Sequence, residues 1–239
     1  MALPKLNVPQ YKVELPSTGE QLTMRPFLVK EEKVLMIALE SNDAEQIAVA
    51  VRNIIMNCYG FNDDDMDKLT VYDIEYLFLQ LRGKSVGENM KLKLKCNDIE
   101  CDGMTDYNIH IDDISIVNKE NTRTVMLDKE NGVGIQMNYP SLETIKNLDV
   151  NNLNSVEGIM EVIVGCIDTI FDDNNVHDAS KETPENLKAF LESLNSEQFT
   201  KVQRVLENAP AVYFKGDYKC SKCDRDNVIE LRGLNSFFT

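Results

Sequence analysis

Residues 89–101 read NMKLKLKCNDIEC, and residues 211–231 read AVYFKGDYKCSKCDRDNVIEL. In the first stretch apolar and charged residues alternate from Met90 to Lys95, the period of a half-buried strand, and the run stops at Cys96. Alternation resumes from Tyr107 to Ile111. In the second stretch, strand-like segments Val212–Lys219 and Asn227–Leu231 flank Cys220 and Cys223. Each cysteine pair therefore falls between two predicted strands, where a hairpin would turn.

A turn of this kind is a knuckle: it points two thiolates at one cation, and two knuckles complete the tetrahedral four-sulfur shell that zinc prefers. Cys220 and Cys223 have the usual two-residue spacing, and Cys96 and Cys101 enclose four residues. Other readings fit less well. Dithiol catalysts usually open a helix, whereas a strand follows Cys223. A reducing compartment disfavours disulfides, and two chance pairs, both flanked by strands, would be a rare coincidence. The expected ligands are Cys96, Cys101, Cys220 and Cys223, holding one structural Zn2+. Four thiolates around a divalent ion carry a net charge of −2, which the adjacent Lys95, Lys219, Lys222 and Arg225 can offset. With 118 residues between Cys101 and Cys220, the metal would tie the late chain to its middle. Cys58 and Cys166 lie on apolar helical stripes and read as buried free thiols.

Around this unit the pattern is mixed. Residues 11–26 read as a hairpin turning near Gly19, and a helix is expected over about Lys30–Glu40. A second begins after Asn42, with Glu45 placed for a reciprocal cap and Ile47, Val51, Ile54, Ile55 and Cys58 on one face. Thr70 and Asp73 resemble a capping box opening a third helix, with Ile74, Leu77, Phe78 and Leu81 on one side. Residues 123–139 suggest another hairpin. Ile159, Val162, Ile163, Cys166, Ile167 and Ile170 form one helical stripe after Ser155. Thr183-Pro184-Glu185 starts a helix, Ser196 caps the last one, and the polar stretch 172–182 between them reads as a mobile loop. The fold class expected is α+β. It comprises an N-terminal hairpin with helices over 1–88, a zinc-bound β unit from 89–140 and 211–239, and a helical insertion over 141–210.

Composition narrows the function. The 239 residues carry a net charge of −15, with residues 1–40 balanced at zero and residues 211–239 at +1, so the middle holds the excess acid. Such a chain repels nucleic acid and suits protein partners. No apolar run reaches the roughly 20 residues of a membrane span, and residues 1–10 lack the apolar stretch of a signal peptide, so a reducing cytoplasm is expected. Nucleotide-binding loops, HExxH and a nucleophile elbow are all missing. Asp63, Asp65 and Asp67 mimic a calcium loop, but Lys68 stands where glycine is needed and Ile74 where glutamate is needed. Of the two histidines, His110 could replace a cysteine ligand but reads better as hydrogen-bonded or exposed, and His177 as solvated. No catalytic residues are expected, and a closed four-sulfur shell leaves no position for a reacting water.

Three segments together carry a family resemblance: VELPSTGEQLTMRPFLVKEEKVLMIALES at 13–41, DIEYLFLQLRGKSVGE at 73–88 and YKCSKCDRDNVIELRGLNSFF at 218–238. In sequence and order they resemble the baseplate hub assembly proteins of T4-like tailed bacteriophages, over about half the chain. The resemblance implies a non-enzymatic hub component or assembly factor that contacts hub or tape-measure proteins. It would work in the host cytoplasm during assembly and end in the virion tail baseplate. A zinc-ribbon nucleic-acid adaptor is the alternative, favoured by the basic tail and disfavoured by total charge and by few aromatics for base stacking. Leu234, Phe237 and Phe238 are a candidate docking element, with packing onto their own domain as the competing reading.

Overall fold

The computed structural model describes residues 6–146 and 155–237, so Phe238 lies outside the described residues. In chain order the elements are β1 (Tyr11–Glu14), β2 (Gln21–Met24), α1 (Val29–Ser41), α2 (Ala44–Tyr59), α3 (Asp63–Lys68), α4 (Val71–Val86), β3 (Asn89–Lys95), β4 (Met104–His110) and β5 (Ser115–Val117). There follow β6 (Thr124–Asp128), β7 (Val133–Met137), α5 (Leu142–Lys146), α6 (Val156–Cys166), β8 (Ile167–Phe171), β9 (Val176–Asp178), α7 (Pro184–Glu192), α8 (Ser196–Glu207), β10 (Ala211–Lys219) and β11 (Asp226–Arg232). Helices and small antiparallel sheets make the fold α+β. It divides into two compact units: one takes the described residues up to 66, then 72–117 and those from 211; the other takes 67–71 and 118–210.

In the first unit β1 and β2 pair from Tyr11–Met24 to Glu14–Gln21, and Gly19 at φ 77° supplies the left-handed turn residue. Val51, Ile54, Ile55 and Cys58 of α2 are buried, as their spacing predicts. The cap of α2 is shifted by one. Asn42 adopts φ 53° and ends α1, so Asp43 becomes the cap, accepting from the Glu45 and Gln46 amides at 2.9 and 3.3 Å. The acid cluster forms the short helix α3, where Asn62 and Asp65 exchange backbone-to-side-chain bonds of 3.1 and 2.9 Å. On α4, Leu77, Phe78 and Leu81 are buried, and the equally buried Asp73 carboxylate accepts from the Ser17 amide at 3.0 Å.

Beside these helices lie two hairpins. β3 and β4 pair from Asn89–His110 to Lys95–Met104, and β10 pairs with β11 from Tyr213–Arg232 to Lys219–Asp226 and with β5. Alternate residues of both hairpins share one core: Met90 and Leu92, Ile109, Val212 and Phe214, Ile229 and Leu231. Leu234 and Phe237, after β11, belong to the same core. Phe237 is 3% exposed and Leu234 packs against it, which corrects the docking reading for those two residues.

The second unit holds a meander in the order β6-β7-β8-β9 with α5–α8, centred on Ile135, Met137, Ile163, Cys166, Leu191 and Val202. β6 pairs with β7 and β7 with β8, so residues 124–137 belong to this meander rather than to the cysteine-bearing hairpins. The single stripe read from Ile159 to Ile170 is in fact a helix and a strand. α6 stops at Cys166 and β8 begins at Ile167, where the β-branched Ile167, Thr169 and Ile170 suit a pleated surface. Likewise the polar stretch 172–182 contains β9 and a 3-10 turn, Ala179–Lys181. Thr183 caps α7 with Pro184 at its first position, while α8 is capped by Asn195 in a reciprocal box with Gln198, one residue before the expected Ser196.

Candidate metal centre

Strand β3 ends at Lys95 because Cys96 turns the chain into an eight-residue loop, closed where the Cys96 amide donates to the Gly103 carbonyl at 2.9 Å. Within it the Cys101 amide donates to Asp98 O and the Glu100 amide to Asp98 Oδ1, at 3.0 and 3.1 Å, which leaves Ile99 at the tip, 98% exposed. The loop after β10 is shorter. Its closure runs from the Cys220 amide to Arg225 O at 2.9 Å, and Asp224 takes the left-handed position at φ 56°. The two loops lie at the same end of their hairpins, and all four sulfurs fall within 4.8 Å of one another.

The spacing suits a tetrahedral ion. Zinc–sulfur bonds of about 2.3 Å imply sulfur–sulfur edges near ~3.8 Å; Cys96 Sγ lies 3.7 Å from Cys223 Sγ, and Cys101 Sγ lies 3.8 Å from Cys220 Sγ. A disulfide needs about 2.05 Å, so these are thiol contacts. The Gly103 and Lys222 amides each point at a sulfur, Cys101 and Cys220 respectively, at 3.4 Å. With the Cys223 and Lys222 amides donating to it, the Cys220 thiol is brought down to about 7. Against the pull of the Arg225 amide, local desolvation and the neighbouring sulfurs push Cys223 up to about 12, and Cys101 is also raised. Without a cation, one thiolate forms and suppresses the next. A divalent ion held by all four sulfurs would remove that conflict, because metal-bound cysteines are thiolates.

Residues without sulfur hold the two loops together. Buried Asn227 accepts the Asn97 amide at 2.9 Å and donates to Arg225 O at 2.8 Å, bridging the loops, and its Oδ1 lies 3.6 Å from Cys96 Sγ. Ser221 reaches back to β4, its amide to Thr105 Oγ1 at 3.0 Å and its hydroxyl to Met104 O at 2.8 Å. Tyr218 donates to Lys95 O at 2.5 Å. A Cβ on Gly103 would sit 2.6 Å from Cys220 Sγ, so the approach of the loops requires glycine there. None of these roles was assigned from sequence. The clearest available signal was a glycine two residues after a candidate ligand.

Charge is arranged differently from the expectation that local bases offset the sulfurs. Lys222 pairs with Asp102, Arg225 with Asp98 at 2.9 Å, and Lys219 lies 3.8 Å from Asp226. The first two pairs cross from one loop to the other, so these bases clasp acids, and the amides face the sulfurs. His110 is no ligand of the cluster: its Nδ1 accepts the Asp112 amide at 3.2 Å, and Nε2 lies 3.8 Å from Glu88. Cys58 and Cys166 sit elsewhere as buried thiols, pushed up by desolvation to about 11 and about 12. Among the described residues the four cysteines are the one cluster able to hold a metal ion, and no described helix is long and apolar enough to cross a membrane.

Compared with known proteins, residues 8–239 match the family model described as T4 bacteriophage base plate protein. No curated protein and no solved structure matches the chain.

Proposed function

The chain belongs to the T4 bacteriophage base plate protein family, and from that premise we propose that it is a hub component or hub assembly factor stapled by structural zinc. A baseplate protein contacts other phage structural proteins; we assign those contacts to hub or tape-measure proteins, with no chemistry at the site. The observation that carries this reading is the four-sulfur cluster. Two of its edges, at 3.7 and 3.8 Å, fit a tetrahedral shell of four thiolates, a set that would leave no open coordination position. Zinc fits better than harder cations because every donor is a thiolate.

The nucleic-acid adaptor loses its main support in this geometry. The basic groups that favoured it, Lys215, Lys219, Lys222 and Arg225, each face an acid, which leaves little positive surface for phosphates. The direct test of the assembly role is co-expression with neighbouring tail proteins followed by affinity capture of this chain. Recovery of a hub or tape-measure protein is the expected result. Capture of no tail protein from any combination would contradict the reading, whatever the metal content.

A further inference from the structure

We propose that two copies of this chain associate through α1, packed antiparallel about a two-fold axis at Met36 and Ile37. Seven of the thirteen residues of this helix are apolar, yet it turns only Glu31 and Ala38 fully inward. Val29, Val34, Met36, Ile37 and Leu39 are 79, 48, 58, 55 and 40% exposed. Five large apolar side chains are thus exposed on one thirteen-residue helix, more than the single scattered exposure usual at a surface.

The charges on the same helix select the occupant. Helical spacing places Val29, Lys33, Met36 and Glu40 on one outward stripe, with Ile37 beside Met36. Lys33 and Glu40 are exposed and have no ion-pair partner among the described residues. If a second copy lies antiparallel with Met36 opposite Ile37, Lys33 of each copy faces Glu40 of the other. Lys30 then approaches Asp43. The surface is self-complementary, as a two-fold interface must be. Charge on α1 itself is nearly balanced in a chain of −15, with Lys30 and Lys33 against Glu31, Glu32 and Glu40. Two such acidic chains repel least where they meet through neutral surface. A single helix pair is a small interface, so the dimer is expected to dissociate at micromolar concentrations.

Sedimentation equilibrium on the full chain over low- to high-micromolar concentrations tests this. The wild type should show a reversible dimer. Ile37→Glu should raise the dissociation constant at least about tenfold, with helix content and metal content unchanged. Lys33→Glu should weaken the dimer, and adding Glu40→Lys should restore it, an outcome a purely apolar contact would not give. A monomeric wild type, an Ile37→Glu variant that dimerises normally, or charge reversal without rescue would each overturn the proposal. Capture of a different protein through α1 by a monomeric chain would do so as well.

Discussion

At Gly103 the second loop comes so close that a methyl group would press on Cys220 Sγ and Lys222 Cβ, at 2.6 and 2.9 Å. Gly103→Ala is expected to cost about 1–3 kcal/mol of stability, the usual range for overpacking, and to speed metal loss to a chelator. Ile99→Ser, at the exposed tip of the same loop, should change neither; denaturation midpoints and timed chelation compare the two. Asn227→Ala strands the Asn97 amide and removes one of the two donors to the Arg225 carbonyl, for a cost of about 1–3 kcal/mol. The four cysteines themselves were legible because two of their spacings are local and each pair lies between alternating strands. Gly103 and Asn227 were not, since each acquires its role only when the other hairpin arrives from over a hundred residues away.

Between elements, α4 holds the segment after β11 through one carboxylate. Glu75 Oε1 accepts the Leu234 amide at 2.9 Å, next to Gly233. Desolvation raises its carboxyl above the ordinary value, against the opposing pull of the Leu234 and Val212 amides and Arg232. A folded-state value above the unfolded one means that the native chain keeps this proton longer. The contribution is therefore full below the unfolded value, about 4.3, and is lost as pH rises through the folded value. Stability of wild type minus that of Glu75→Gln should accordingly fall as pH rises from about 4 to about 7. A difference that stays constant in urea titrations across that range would contradict this linkage. At this scale the sequence was a good guide to the helices and hairpins with caps or alternation, such as α2, α7 and β3. It misled at α6–β8, where Ile163, Cys166, Ile167 and Ile170 satisfy helical spacing although the chain changes to strand after Cys166. Short apolar runs carry both periods, and only pairing with β7 decides between them. Polar composition likewise hid β9, whose stability comes from its ladder with β8.

For the molecule as a whole, a net charge of −15 and paired basic groups predict no binding to duplex or single-stranded DNA at about 150 mM salt. Fluorescence anisotropy detecting micromolar affinity there would instead favour an adaptor role. The baseplate family was recognisable from three segments at 13–41, 73–88 and 218–238, and the match extends over 8–239. The two-unit division was harder to read, because residues 118–210 interrupt the first unit with a sheet and helices of their own. Joining Cys96 and Cys101 to Cys220 and Cys223 across that interval is the central structural claim. Metal analysis of the purified native chain, with thiol titration of the same sample, tests it most directly. One zinc per chain is expected, with slow reaction of the four cluster thiols until a chelator is added. Serine at any of the four should lower the metal content and cost more than about 4 kcal/mol, whereas Cys58→Ser and Cys166→Ser should keep the metal. A chain that carries no zinc, and whose cluster thiols react freely before any chelator is added, would contradict it.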